Sequence, residues 1–161
     1  MRICSSLRSS SLRGLAVLTL LAAFWLGRPA LAADSTNMKT LTPEELVSIL
    51  AAKSSKPPKP LLFHVGSHML YVQAHIPGSE YIGAGNTAEG LQRLGQRVST
   101  VPKKTFIVLY CGCCPWNHCP NANPAYDALT QLRFTNVKVL YIANNFGADW
   151  VDKGYPMARG E

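Results

Sequence analysis

Three stretches of the chain are mostly apolar and predict strands, the first of them buried on both faces. They read "LLFHV" at residues 61–65, "TFIVLY" at residues 105–110 and "VKVLYI" at residues 137–142. Continuous apolar runs of this length are typical of strands that are covered on both sides, as in a parallel sheet. A shorter extended piece is predicted around Tyr81 and Ile82.

Helical spacing of apolar residues predicts helices between these strands. The first begins at Thr42, with Pro43 at the first helical position and Glu45 completing a capping box. Further helices are predicted over residues 87–98, which contain Gly90 and Gly95, over residues 123–134, with Asn123 as N-cap, and over residues 148–153. Strands that alternate with helices indicate an α/β fold, a mainly parallel sheet with helices on both faces.

Residues 1–32 have the layout of a secretory signal peptide. Three arginines precede an apolar run, "GLAVLTLLAAFWLG", and the small residues Ala30 and Ala32 follow it. The run is shorter than the roughly 20 residues that a membrane-spanning helix needs. We expect cleavage and export, to the periplasm in a bacterium and otherwise to the exterior, with membrane contact only through the signal before cleavage. Residues 33–40 are then a polar leader, and residues 41–161 form one domain.

Loss of the signal changes the electrostatic character of the chain. Four of the 16 Lys and Arg residues lie within it, so 12 basic residues face nine acidic ones and the net charge falls from +7 to +3. So small an excess of positive charge gives no reason to expect nucleic-acid binding. No cofactor motif is recognised.

The stretch "VLYCGCCPWNHCPN", residues 108–121, places four cysteines between the second strand and the following helix: Cys111, Cys113, Cys114 and Cys119. In parallel α/β sheets, ligands bind beyond the carboxyl ends of the strands. A thiol there, ahead of a helix N-terminus, lies in a positive potential that favours the nucleophilic thiolate. Cys111, the first cysteine after the strand, is the predicted nucleophile.

The four thiols also allow structural alternatives. Three full disulfide pairings are possible, of which a bridge between the neighbours Cys113 and Cys114 is the most strained. Together with His118 the thiols offer soft ligands for zinc or copper(I). Structural zinc sites usually take ligand pairs from two separated places, whereas these cysteines share one loop. Our expectation is therefore no bound metal.

The order of several motifs resembles the rhodanese, or sulfurtransferase, domain from about Leu41 to the C-terminus. The motifs are "AHIPGS" at residues 74–79, "VLYC" at residues 108–111 and "GYPM" at residues 154–157. The resemblance implies a single-domain rhodanese fold in which Cys111 carries sulfur as a persulfide. It also implies a small sulfur-containing donor and a thiol or protein acceptor.

The chain departs from the family pattern at two places. Family members carry an acidic residue and an arginine near the end of the first strand, where this chain has His64 and Gly66, and they carry basic residues in the active loop, where this chain has none. A relay among several cysteines is therefore more natural than transfer from thiosulfate to cyanide, with Cys114 and Cys119 as candidate resolving thiols. The alternatives are a non-catalytic rhodanese-like module whose loop binds a metal or a partner, and a thiol-disulfide exchange protein.

Overall fold

Five parallel strands form one sheet in the computed structural model, which describes residues 38–53 and 58–161. The strands lie in the order β1-β5-β4-β2-β3, so β4 is central. All strand pairs in the described residues are parallel, as the alternation of strands and helices predicts. Their bounds are β1 Thr40–Leu41, β2 Leu61–His64, β3 Glu80–Tyr81, β4 Ile107–Tyr110 and β5 Val137–Leu140.

Helices cover both faces of the sheet, which confirms the predicted α/β architecture. Leu94 of α3 and Leu129 of α4 belong to the core on one face, and Leu46 of α1 and Trp150 of a C-terminal π-helical turn belong to the core on the other. No helix within the described ranges is long and apolar enough to cross a membrane. The helical elements are α1 Pro43–Ala51, α2 His68–Gln73, α3 Ala88–Arg97, α4 Ala122–Gln131, a 3-10 turn Trp116–His118 and the π-helical turn Gly147–Val151.

The predicted capping box of α1 is confirmed, and the predicted cap of α4 is wrong. The Thr42 hydroxyl accepts from the Glu45 amide at 3.2 Å, and the Glu45 carboxylate accepts from the Thr42 amide at 2.7 Å. Helix α4 starts two residues earlier than predicted, with Asn121 rather than Asn123 as its N-cap. Pro124 is tolerated inside the first turn because amides there have no intrahelical acceptor.

Besides the 3-10 turn, one strand and one α-helix have no counterpart in the sequence prediction. Strand β1 has two residues and pairs with β5, and α2 has six residues, with the Ser67 side chain as its N-cap. Both are too short to show a hydrophobic period. The predicted signal peptide and residues 33–37 of the predicted polar leader lie outside the described residues.

The two glycines of α3 have different surroundings. A Cβ atom at Gly90 would lie 2.1 Å from the carbonyl oxygen of Ala84, whereas a Cβ atom at Gly95 would have no neighbour within 4 Å. Gly90 therefore lets the start of α3 pack against the backbone that follows β3. Gly95 only weakens the helix.

We expect opposite effects on stability from the same substitution at these two positions. Gly90→Ala lowers the free energy of unfolding by about 1–3 kcal/mol, the usual cost of overpacking. Gly95→Ala raises it by about 0.5–1 kcal/mol, because alanine is the better helix former. Urea unfolding of the two variants measures both changes, and equal effects would contradict the packing described for Gly90.

His64, the last residue of β2, is buried among aromatic rings. Its ring lies 5.0 Å from the Tyr110 ring and 5.5 Å from the Tyr71 ring, centroid to centroid, and the side chain is 2 % exposed. Its Nδ1 accepts from the Gly66 amide at 3.4 Å. Burial lowers the pKa of His64 from 6.5 to about 4, although a hydrogen bond with the backbone of Cys111 opposes the shift.

This burial predicts a loss of stability in acid. Below pH 6.5 the unfolded chain binds a proton at His64, whereas the folded chain does not bind it until about pH 4. The free energy of unfolding therefore decreases as the pH is lowered from 6.5 to 4. The loss attributable to His64 is about 3 kcal/mol, since one pKa unit corresponds to about 1.4 kcal/mol. Chemical unfolding at several pH values should show that the free energy of unfolding depends less on pH in His64→Gln than in the unmodified chain. His118→Gln is the control because that ring is exposed, and a slope unchanged in His64→Gln would refute the assignment.

Candidate functional site

Cys111 follows the last residue of the central strand, where the chain leaves the sheet. The Val65 amide still pairs with the Tyr110 carbonyl oxygen at 2.8 Å, and Cys111 is 4 % exposed. Gly112 then turns the chain with a φ of +77°, and a Cβ atom there would lie 2.6 Å from the Cβ of Phe146. Only glycine combines this backbone conformation with so close a neighbour. The thiol is therefore held at the carboxyl edge of the sheet, where the sequence places it.

Gly66 leaves room for the Cys111 sulfur from the neighbouring strand. A Cβ atom at this position would lie 3.0 Å from Sγ of Cys111 and 2.9 Å from Cε1 of His64. A larger residue would displace one of these two side chains. Gly66 therefore allows the Cys111 thiol to be buried and closely packed at this point.

The loop brings the four predicted cysteines into contact as free thiols. The sulfur of Cys113 lies 3.3 Å from that of Cys111 and 2.8 Å from that of Cys114. The ligand atoms of Cys111, Cys113 and Cys119 lie within 4.8 Å of one another. Cys114 falls outside this set, and its thiol donates to the His118 carbonyl oxygen at 3.4 Å.

Asn121, which the sequence analysis did not single out, connects the loop to α4. Its buried side chain donates from Nδ2 to Sγ of Cys111 at 3.2 Å, and the same nitrogen lies 4.0 Å from Sγ of Cys113. Its Oδ1 accepts from the Asn86 amide at 3.3 Å, which fixes the orientation of the amide group. The signal available in the sequence was an asparagine directly before the helix that follows the cysteine loop. Asn121 therefore favours negative charge on the Cys111 sulfur.

The contacts that favour a thiolate are more numerous at Cys119 than at Cys111. The hydrogen bond from the Cys111 thiol lowers the pKa of Cys119, and the backbone amides of Asn121 and Ala122, at the start of α4, lower it further. The same hydrogen bond, together with burial, raises the pKa of Cys111. Burial and the neighbouring Cys113 raise the pKa of Cys114. The proton shared by this coupled pair therefore lies with Cys111, and the assignment of Cys111 as the nucleophile stays a prediction.

A cavity of about 360 Å³ opens beside Cys111. None of the described residues that line it is Lys, Arg, Asp or Glu. Cys119 does not line this cavity but borders a much smaller crevice next to Cys111, together with Trp116. Cys111 lines both the cavity and the crevice beside Cys119, whereas Cys113 lines only the cavity. The cavity is lined by His64, Leu70, Gln73, Ala74, Cys111, Gly112, Cys113, Asn145, Phe146, Gly147 and Val151.

The histidines near this edge of the sheet occupy different places. His64 lines the cavity, whereas the His68 ring lies 4.8 Å from the Tyr81 ring, at a tilt of 48°, and its Nε2 lies 3.1 Å from a carboxylate oxygen of Glu161. His118 is exposed, and its Nδ1 lies 2.8 Å from Oδ1 of Asn117. The structure thus does not bring the His118 ring to the thiols, where a mixed metal site would need it.

Comparison with known proteins finds relatives by structure and not by sequence. No protein-family profile and no curated protein sequence matches the chain. The crystal structure of the Alr3790 protein from an Anabaena species is 20% identical with a TM-score of 0.56, over 74% of this chain and 92% of that one. The solution structure of the rhodanese-like domain of the same protein is 18% identical with a TM-score of 0.54, over 76% of this chain and 80% of that one.

A third similar structure is a thiosulfate sulfurtransferase from Pseudomonas aeruginosa. It is 20% identical with a TM-score of 0.51, and the match covers 78% of this chain but only 20% of that one. The five-stranded parallel sheet, the helices on both of its faces and the cysteine directly after the central strand agree with the motif order in the sequence. The chain therefore has a rhodanese-like fold.

Proposed function

We propose that the chain is a sulfurtransferase-type enzyme that carries sulfane sulfur as a persulfide on Cys111. The observation that carries the proposal is the position of this thiol. It follows the central strand of a rhodanese-like fold, borders the uncharged cavity and lies within 4.8 Å of the Cys119 sulfur. A thiol so placed has a substrate space on one side and a proton acceptor on the other.

Sulfur uptake follows from these contacts. Cys119 takes the proton of Cys111, and the Cys111 sulfur attacks the outer sulfur of a donor of the form R–S–SH. A bond forms between Cys111 Sγ and the outer sulfur while the sulfur–sulfur bond of the donor breaks. The leaving thiolate takes the proton back from Cys119 and departs as R–SH. No external oxidant or reductant is consumed, and the Asn121 amide stabilises the negative charge on Cys111 during the attack.

Discharge of the persulfide has two chemically balanced routes. An acceptor thiol attacks the outer sulfur, takes it as a new persulfide and leaves Cys111 as a thiol. Alternatively, the Cys119 thiolate attacks Sγ of Cys111, expels hydrosulfide and forms a Cys111–Cys119 disulfide, which an added thiol must then reduce. Cys119 is the better placed resolving thiol, since its sulfur lies within 4.8 Å of that of Cys111 and Cys114 falls outside this set.

The cavity favours an uncharged donor. Its side walls include Leu70, Phe146 and Val151, and its polar groups include the amide side chains of Gln73 and Asn145. A doubly charged anion such as thiosulfate would lose hydration there without gaining a cationic partner from the lining residues. We therefore propose a neutral organic persulfide as donor and a small thiol or a protein thiol as acceptor.

Treatment of the reduced chain with an alkyl persulfide should add about one sulfur atom to its intact mass. Peptide mapping should place the extra sulfur on Cys111, because this thiol borders both the cavity and the crevice beside Cys119. The adduct should disappear in both Cys111→Ser and Cys111→Ala, whose folding is checked by circular dichroism. Cys114→Ser is the matched control and should retain the adduct. If the sulfur maps to another cysteine in the unmodified sequence, the proposal is contradicted, irrespective of the results with the variants.

Substitution of Asn121 should slow uptake without preventing it. Asn121→Asp keeps an acceptor for the Asn86 amide but removes the donor to Cys111 and adds a negative charge beside it. We expect persulfide formation to slow by roughly 10- to 100-fold, as for a lost hydrogen bond to a charged group, and the pH–rate profile to move to higher pH. Asn123→Asp makes the same chemical change two residues further along α4 and should leave both quantities near their original values. Equal behaviour of the two variants would rule out a role for Asn121 as a positioning residue.

A further inference from the structure

Three sulfur atoms of the loop form a cluster that the transfer reaction does not fully use. The ligand atoms of Cys111, Cys113 and Cys119 all lie within 4.8 Å of one another. Uptake and resolution require only Cys111 and Cys119. The side chain of Cys113 is exposed, yet its sulfur lies 3.3 Å from that of Cys111.

The spacing of these sulfurs fits a trigonal thiolate site. A metal–sulfur bond of about 2.3 Å places three sulfurs in a trigonal plane about 4.0 Å apart. The separations in the cluster range from 3.3 Å between Cys111 and Cys113 up to a limit of 4.8 Å. Shifts of less than about an ångström therefore bring all three sulfurs to bonding distance, a change that side-chain rotation in an exposed loop can supply.

Hydrogen-bond donors already surround the sulfurs and offset the charge of three thiolates. Asn121 Nδ2 donates to Cys111, the Cys113 backbone amide donates to Cys111, and the amides of Asn121 and Ala122 donate to Cys119. Such donors orient and stabilise ligands around bound metals. The described part of the chain therefore supplies ligands together with the groups that support them.

We propose that Cys111, Cys113 and Cys119 form a trigonal site for copper(I). The donor set is three soft sulfurs, without nitrogen or oxygen, and soft thiolates favour this ion. Structural zinc is almost always four-coordinate, and the only further sulfur of the loop, that of Cys114, contacts Cys113 at 2.8 Å but lies outside the described set of three within 4.8 Å. Binding releases the remaining thiol protons to solvent and transfers no electron. This inference goes beyond sulfur transfer, since it requires Cys113.

Titration with copper(I) against a chromogenic copper(I) chelator, without oxygen, tests the site. The full chain is used in a Cys4→Ser background, so that only the four loop thiols remain. We expect one copper(I) per chain and three sulfur neighbours in X-ray absorption. Cys113→Ser should weaken binding by at least about tenfold and lower the sulfur count to two, since even supporting residues contribute 10- to 100-fold.

Cys114→Ser is the matched control because it removes a thiol of the same loop that lies outside the set. It should leave affinity and sulfur count unchanged. A loss of copper in Cys114→Ser, undiminished affinity in Cys113→Ser, or a preference for zinc with four sulfurs would each overturn the trigonal assignment. The exposed Cys113 can be replaced without loss of core packing, and circular dichroism checks that the variant folds.

Competition between copper and sulfur gives a second readout, which rests on the proposed function. Both need the Cys111 sulfur, so chain loaded with one equivalent of copper(I) should take up no sulfur from an alkyl persulfide. Uptake by the loaded chain would contradict ligation by Cys111. Failure of the metal-free chain to form a persulfide would count against the proposed enzyme alone, because the copper titration and the X-ray absorption measurement do not depend on persulfide formation.

Discussion

The complete burial of β4 is the constraint on which the rest of the structure depends. Ile107, Val108, Leu109 and Tyr110 are each 0% exposed, and β2 and β5 pair with the strand on its two sides. Burial of such side chains contributes about 1.5–3 kcal/mol each, so the strand cannot shift to place its end elsewhere. The Tyr110 hydroxyl fixes that end, because it lies 2.6 Å from Oγ of Ser79 and accepts from the Ile76 amide at 3.2 Å. Cys111 is the first residue beyond this anchor.

The site at the end of the strand stabilises negative charge with hydrogen-bond donors and their dipoles rather than with cationic side chains. Backbone amides at the start of α4 and the Asn121 side chain donate to the sulfurs, and the described lining residues of the cavity include no Lys or Arg. Such a site favours polarisable sulfur over hydrated oxyanions. Sulfane sulfur and copper(I) are both soft, so the two proposals share one physical basis. They differ in the side chain of Cys113, which only the copper site requires.

Sequence patterns predicted those parts of the fold that depend on local signals. The three long strands are mostly apolar, and the capping box at Thr42 and Glu45 involves residues three apart, so both were visible without a structure. The same logic placed Cys111 correctly. The two-residue strand β1 depends on its pairing with β5, about 100 residues away, and leaves almost no local trace.

The details of the site escaped prediction because they depend on contacts distant in the sequence. Asn121 acts through contacts with Asn86 and Cys111, 35 and 10 residues away, and no periodicity reports such contacts. The approach of Cys119 to Cys111 has the same origin. Position after a strand suggested a thiolate at Cys111, but the amides at the start of α4 reach Cys119 instead. Likewise, Gly90 weakens a helix by propensity and yet is required by its approach to Ala84.

The central claim is that sulfur enters from the cavity and is held on Cys111. A crystal structure of the chain after treatment with an alkyl persulfide tests it most directly. We expect density for one additional sulfur atom bonded to Sγ of Cys111 and directed into the cavity beside His64 and Phe146. Additional density on Cys113, Cys114 or Cys119, with Cys111 unmodified, would contradict the account.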